Sequence, residues 1–329
     1  MRRTTAAAAL LLVPALFITG CSSSSGSKST DSKAAVLPTV GGVYGKSATI
    51  KLPDISEAGS TQVVKTLSTG TGAAVTTDDM VISNVVIDDW NTGKTVSSSY
   101  VAKAPLVTDV SSMLSALKSA VVGHTVGSRV LVVAPPADAA AQIVASEQQQ
   151  VQQAQQQGQQ PPADLGVKAT DTLAMVVDIT GAVSTKGQAS GAAQAPVSGM
   201  PTVDASAAKA AVITIPKGAK PPTSLQTSVL VKGTGPKVAS GQTVIVQYTG
   251  VTWADGKVFD SSWNDQGAFS YVAGSGNMIK GWDQGVMGQT VGSRVEIVIP
   301  PSLGYGSTAN GAIPANSTLV FVVDILAAA

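Results

Sequence analysis

Residues Thr243–Tyr248 and Ser293–Ile299 alternate or run apolar with β-branched side chains, and Thr318–Ile325 does the same, as strands do. Between them Met278, Ile279, Trp282 and Val286 share one face at helical spacing, with Gly288 as a stop signal. One short helix among several strands predicts an α+β domain, a mostly antiparallel sheet with one helix packed on it.

The same pattern occurs earlier in the chain. At a shift of 163 residues, Pro38-Thr39-Val40 falls on Pro201-Thr202-Val203, Gly70-Thr71-Gly72 on Gly233-Thr234-Gly235, and Trp90 on Trp253. After two residues of slippage Thr125–Val130 repeats as Thr290–Val295, and Val176–Ile179 repeats as Val322–Ile325. The period is too long for a solenoid and reads as a tandem domain duplication. The copies differ by one insertion: 36 residues separate Pro136 from Leu173, whereas 17 separate Pro301 from Leu319. The excess falls in an Ala/Gln-rich tract, about 137–164, that suits an exposed helix ending near Pro161-Pro162. The predicted organisation is a signal segment over 1–20, a Ser-rich tether over 21–37, a first domain over 38–182, a linker and lead-in over 183–218, and a second domain over 219–329.

Arg2 and Arg3 precede an apolar stretch from about Ala6 to Ile18, too short to span a bilayer comfortably, and Ile18-Thr19-Gly20-Cys21 follows. The single cysteine at this position resembles the lipobox of bacterial lipoproteins, which implies lipidation of Cys21 and an extracytoplasmic, lipid-anchored protein on the bacterial cell membrane. Without residues 1–20 the formal charge passes from +1 to −1 through loss of Arg2 and Arg3, so the lipid, not a basic patch, would hold the chain at the membrane.

Composition narrows the chemistry. With 12% charged residues and a net charge of +1, the chain lacks the basic stripe expected of a nucleic-acid-binding surface. One histidine, His124, and one cysteine exclude a Cys/His zinc cluster, a disulfide framework and a His-dependent triad. No cofactor or metal is expected. The chain has 4 Phe, 4 Trp and 5 Tyr, and nine of these aromatics lie between Tyr248 and Phe321, so whatever needs large flat side chains is in the second copy.

That copy contains Val246-Gln247-Tyr248-Thr249-Gly250, Asp255-Gly256-Lys257-Val258-Phe259-Asp260-Ser261-Ser262, Ile279-Lys280-Gly281-Trp282-Asp283-Gln284-Gly285, Gly304-Tyr305-Gly306 and Leu319-Val320-Phe321. In this order the segments resemble the FKBP-type peptidyl-prolyl cis–trans isomerases over about Leu225–Leu326. The resemblance implies a curved antiparallel sheet wrapped on a short helix, with the active site between them. It also implies a pocket of Tyr248, Phe259, Asp260, Phe269, Met278, Ile279, Trp282, Tyr305 and Phe321. Trp282 would be the floor under a proline ring and Tyr248, Phe259 and Phe321 its walls. The Ile279 N–H and Tyr305 hydroxyl would hold the peptide, and Asp260 would orient polar groups at the rim. Met278 stands where the family often has Val, Tyr271 where it often has Phe, and the loop Ser307–Ala312 is slightly short.

Such chemistry needs no nucleophile. Resonance opposes peptide-bond rotation by ~18–20 kcal/mol, while the two isomers of an X–Pro bond lie within ~0.5–1 kcal/mol of each other, so the obstacle is kinetic. The twisted transition state loses resonance and charge separation, and an apolar pocket that holds it better than either planar isomer lowers the barrier. A thousandfold gain needs only ~4 kcal/mol of this preference. Taken singly, the aromatics read as core; as an ordered set they read as a pocket.

At the corresponding positions the first copy has Val85, Val96, Ser97, Leu117 and Met175 for Tyr248, Phe259, Asp260, Trp282 and Phe321. It is expected to keep the fold without the isomerase site, and His124 is read as an ordinary loop residue. The expected partners are proline-containing unfolded or exported polypeptides, rapamycin-type macrolides, and the membrane through the lipid; nucleic acid is not one. Two other readings are a prolyl-peptide-binding chaperone without significant catalysis and a structural envelope protein. The aromatic set disfavours the latter, and kinetics separates the former.

Overall fold

The computed structural model describes residues 36–54, 58–205, 208–264 and 267–329. The signal segment, Cys21 and the tether up to residue 35 lie outside the described residues. The chain divides into two compact units, 1–182 and 183–329.

The first unit runs β1 (Thr39–Gly41), β2 (Thr49–Lys51), β3 (Val63–Ser68), β4 (Asp79–Asp89), β5 (Thr95–Ser98), α1 (Ser99–Ala102), β6 (Leu106–Asp109), α2 (Ser115–Val121), β7 (Arg129–Ala134), α3 (Ala140–Gln156) and β8 (Leu173–Ser184). The second runs β9 (Ala192–Ala193), β10 (Thr202–Asp204), β11 (Val212–Thr214), β12 (Gln226–Lys232), β13 (Thr243–Thr252), β14 (Val258–Ser261), β15 (Phe269–Val272), α4 (Lys280–Val286), β16 (Arg294–Ile299) and β17 (Leu319–Ala328). The first unit's sheet has the order β3-β7-β8-β4-β5 with β6 also on β4; the second has β12-β16-β17-β13-β14 with β15 also on β13 and β9 added beyond β12. Strand for strand these orders coincide, and every described pairing between named strands is antiparallel. The duplication is therefore one of architecture, an α+β fold used twice.

The period of two decides what each face buries. Along β16, Val295, Ile297 and Ile299 join Val244, Val246, Trp282, Phe321 and Val323 in the core between sheet and helix. Val298, with Val251, Val320 and Val322, faces the other way and is covered with the help of Ile213 from the β10–β11 hairpin. Helix α4 lies close on β16 because two of its residues have no side chain: a Cβ on Gly281 would come within 2.4 Å of Ile299 Cγ2, and one on Gly285 within 2.6 Å of Ile297 Cδ1. The first unit solves the same contact with smaller partners, Ala116 and Ala120 on α2 against Ala134 and Val132 on β7. Each unit also repeats one ion pair, Arg129–Asp178 and Arg294–Asp324, both at 2.6 Å.

Two sequence expectations change. The stretch read as a linker from residue 183 lies along the second unit: the Ala189 N–H donates to Asp324 Oδ2 at 3.0 Å, the Ser190 N–H to the Gly292 carbonyl at 2.9 Å, and Ala192 and Ala193 pair with Lys232 and Val231. Its small residues permit this, since a Cβ on Gly191 would meet the Lys232 carbonyl oxygen at 2.1 Å. The insertion does form a helix, but α3 ends at Gln156 and is not exposed all round. Ala140, Ile143, Ser146 and Ala154 are buried at spacings of three, three and eight residues, one stripe of an otherwise polar helix.

Candidate active site

Five elements of the second unit deliver the aromatic residues to one place. Strand β13 supplies Tyr248, β14 Phe259, β15 Phe269 and Tyr271, β17 Phe321, and α4 Trp282. Trp282 is almost wholly buried, at 1% exposure, and stands edge-on to its neighbours. Its ring centroid is 5.4 Å from Tyr248, 5.1 Å from Phe321 and 5.9 Å from Tyr271, with interplanar angles of 86°, 89° and 75°. Phe259 meets Phe321 in the same way at 5.4 Å and 84°. Such edge-to-face pairs each contribute about 0.5–1.5 kcal/mol beyond the area they bury, and they fix ring orientation. The set has a buried floor, Trp282 and Phe321, and an open rim, where Phe269 and Tyr305 remain 37% and 38% exposed.

The scaffold beneath Tyr248 is a polar clamp. Ser262 Oγ accepts from the Tyr248 N–H at 2.9 Å and donates to Gln247 Oε1, while the Ser262 N–H donates to the Tyr248 carbonyl at 3.1 Å. Gln247 Nε2 in turn donates to the Thr185 carbonyl at 2.5 Å. The first unit keeps the clamp: Ser99 Oγ accepts from the Val85 N–H at 2.9 Å and donates to Asn84 Oδ1 at 3.0 Å.

At the rim the Tyr248 hydroxyl donates to Asp260 Oδ2 at 2.5 Å. Burial first, then this bond and the charge of Asp260, with a further contribution from Tyr305, hold the Tyr248 hydroxyl well above the ordinary tyrosine range, so it stays a donor at neutral pH. Ile279 is the N-cap of α4 in extended conformation (φ −60°, ψ 144°), and no described group accepts from its N–H. The Tyr305 hydroxyl likewise has no described partner and follows the turn Pro301–Leu303. Met278 and Ile279 pack partly buried on the same core. All nine residues expected of the pocket thus belong to one cluster or its rim. Sequence reasoning names Tyr271 only as standing where the family often has Phe and leaves it out of the pocket; it stacks on Phe269 at 6.0 Å and 7° and meets Trp282 edge-on. The buried Tyr271 hydroxyl and Trp282 indole N–H make no hydrogen bond of good geometry with any described group, although they lie near enough for the indole to offset part of the upward push that burial gives the Tyr271 hydroxyl.

Residues 235–326 match the family model described as FKBP-type peptidyl-prolyl cis-trans isomerase. The second unit carries an FKBP-type domain. FK506-binding protein 2B of Rhizopus delemar is 49% identical over 72 residues, 22% of this chain and 34% of its own length. FK506-binding protein 2 of Dictyostelium discoideum is 47% identical over 76 residues, 23% of this chain and 57% of its own length. The chain therefore spans between a third and three fifths of these relatives. A solved structure of AtFKBP13 is 35% identical, covers 33% of this chain and 96% of that one, and has a TM-score of 0.31. In the FKBP-type domain the matched stretch holds every aromatic residue of the cluster, from Tyr248 to Phe321.

Proposed function

We propose that the chain is a peptidyl-prolyl cis–trans isomerase whose second unit catalyses rotation about X–Pro bonds in exported polypeptides. The observation that carries this reading is an aromatic cleft with a buried floor and, at its edge, two donors with no partner among the described residues, the Ile279 N–H and the Tyr305 hydroxyl. A proline ring set against Trp282, between Tyr248, Phe259 and Phe321, would leave its preceding carbonyl turned out of the amide plane in a site that excludes water. The twisted amide has lost its charge separation and is the form such a site disfavours least. Ile279 N–H and Tyr305 would anchor the flanking backbone, Phe269 and Met278 would add contact area, and Asp260 would keep the Tyr248 hydroxyl aimed across the cleft. No proton needs to move.

In the same reading Cys21 carries the lipid and residues 22–37 let the domains reach clients at the extracytoplasmic membrane face, where slow prolyl isomerisation limits refolding. Rapamycin-type macrolides would compete for the cleft. The first unit, with Val85, Val96, Ser97, Leu117 and Met175 in place of the pocket residues, would isomerise nothing. A protease-coupled assay on X–Pro peptides tests the core of this: acceleration by the full chain that falls at least tenfold in Trp282→Ala supports it, and equal rates with and without the chain refute it. For the anchor, Cys21→Ser is expected to leave the membrane fraction; continued retention would contradict lipidation at that residue.

A further inference from the structure

The first unit's cleft is not empty. Positions Val85, Leu114 and Met175 are 5%, 4% and 0% exposed, although their counterparts Tyr248 and Ile279 are larger or equal in size and remain partly exposed, and Phe321 is 6% exposed. Shrinking the walls of an open pocket would expose its lining; here the floor stays buried (Leu117 5%, Trp282 1%) and the walls Val85 and Met175 are more buried than their counterparts, so something else covers them. The covering residues come from the insertion. Ala139, Ala140 and Ile143 are fully buried in the same cluster as Val85, Leu114, Leu117 and Met175, with Val144, Val96 and Leu165 packed on its margin.

The docking point is equally specific. Gln142 Oε1 accepts from the Ser115 N–H at 3.2 Å, and Gln142 Nε2 donates to Ser115 Oγ at 3.0 Å and to the Ala137 carbonyl at 2.9 Å. Ser115 is the first residue of α2 and corresponds to Lys280, the residue after Ile279, whose N–H has no partner among the described residues. A side-chain amide from the insertion thus occupies the helix terminus beside which a peptide backbone would bind, and Ile143, the next residue, is buried in the core below. Midway along, α3 is tied by the Leu165 N–H donating to Glu147 Oε1 at 3.0 Å.

We propose that α3 is an intramolecular ligand of the first unit: a peptide-binding cleft homologous to that of the second unit has become a receptor for an aliphatic helix face, with Ile143 as the anchoring side chain and Gln142 as the backbone-mimicking contact. The cleft's preference has moved from a proline ring between aromatic walls to a branched aliphatic side chain between aliphatic ones. The inference depends on the correspondence of the two clefts and not on catalysis in the second, so the two can fail separately.

Supply of the helix in trans tests it. In the full chain with residues 139–164 replaced by a short Gly/Ser linker, a synthetic peptide of residues 139–157 should bind in fluorescence anisotropy, and the same peptide with Ile143→Asp at least tenfold more weakly. Equal binding of both peptides, or no binding to a chain whose first unit keeps its strand amide protection, overturns the proposal. Should the shortened chain lose that protection, Ile143→Asp in the otherwise unaltered chain decides. Amides of Ser115–Val121 should then exchange at least tenfold faster, while Gln148→Asp on the exposed face leaves them unchanged. The same exchange in both variants overturns it.

Discussion

Glu296 is expected to make the stability of the second unit depend on pH. Alternation along β16 turns it to the same side as Val298, away from the aromatic cluster, and its cross-strand partners are Ser228 and Val322. It is fully buried, and among the described residues neither of its carboxylate oxygens nor the Ser228 hydroxyl has a hydrogen-bond partner. Arg294, two residues away, is committed to Asp324 through contacts of 2.6 and 2.7 Å. Burial alone pushes the Glu296 carboxyl up to about 7, from an ordinary value of 4.5. The folded chain therefore keeps a proton that the unfolded chain releases, so stability from this group falls as pH rises from about 4.5 to 7 and is level above. The size of the loss is roughly 3 kcal/mol. The first unit has Leu131 at this position, which suggests Glu296→Leu as the perturbation. Urea unfolding, followed through exchange protection of β16 amides at pH 5 and pH 8, should show the parent losing stability between the two and the variant losing less. At pH 8 the variant's midpoint should be higher by about 1–2 M. A parent equally stable at both pH values, or a variant that shares its pH dependence, would refute the assignment.

Two further substitutions probe the helix and the rim. Gly281→Ala is expected to destabilise the second unit by about 1–3 kcal/mol through overpacking against Ile299, and adding Ile299→Ala, which recreates the Ala116/Ala134 pair of the first unit, should recover part of that in thermal unfolding. Tyr248→Phe, which removes the bond to the exposed Asp260, should keep the fold by circular dichroism and lower kcat/KM for X–Pro peptides by less than tenfold; total loss would mean the hydroxyl that Asp260 orients does more than hold this rim contact.

The elements were legible because period-two runs and one helical face repeat at fixed spacing, whereas the cleft was legible only through the resemblance of the ordered motifs to the FKBP-type isomerases, and strand order was not legible at all. Tyr248, Phe259, Trp282 and Phe321 meet because β14 and β17 pair with β13 and α4 packs on the core-facing side of that sheet, contacts that periodicity alone does not specify. Nonlocal contacts of small residues were not legible. Ala192 and Ala193 carry no strand signal, and their pairing with β12 depends on backbone groups that any small residue offers. Helix α3 reads as solvated because its buried stripe is mostly Ala, and only Ile143 betrays a partner. Nothing in the sequence singles out Glu296, since alternation alone would turn it to solvent; the β10–β11 hairpin packs on that face of the sheet, where Val298 and Val322 are buried beside it.

The isomerase claim meets its most direct test in exchange NMR of an X–Pro peptide, where the rate of cis–trans interconversion is read without a coupling enzyme. The full chain should accelerate interconversion. A chain in which Tyr248, Phe259, Asp260, Trp282 and Phe321 are replaced by the first unit's Val, Val, Ser, Leu and Met should not, while its β13 and β17 amides stay protected. No acceleration by the parent chain, or full acceleration by the converted one, would contradict an aromatic cleft as the seat of catalysis.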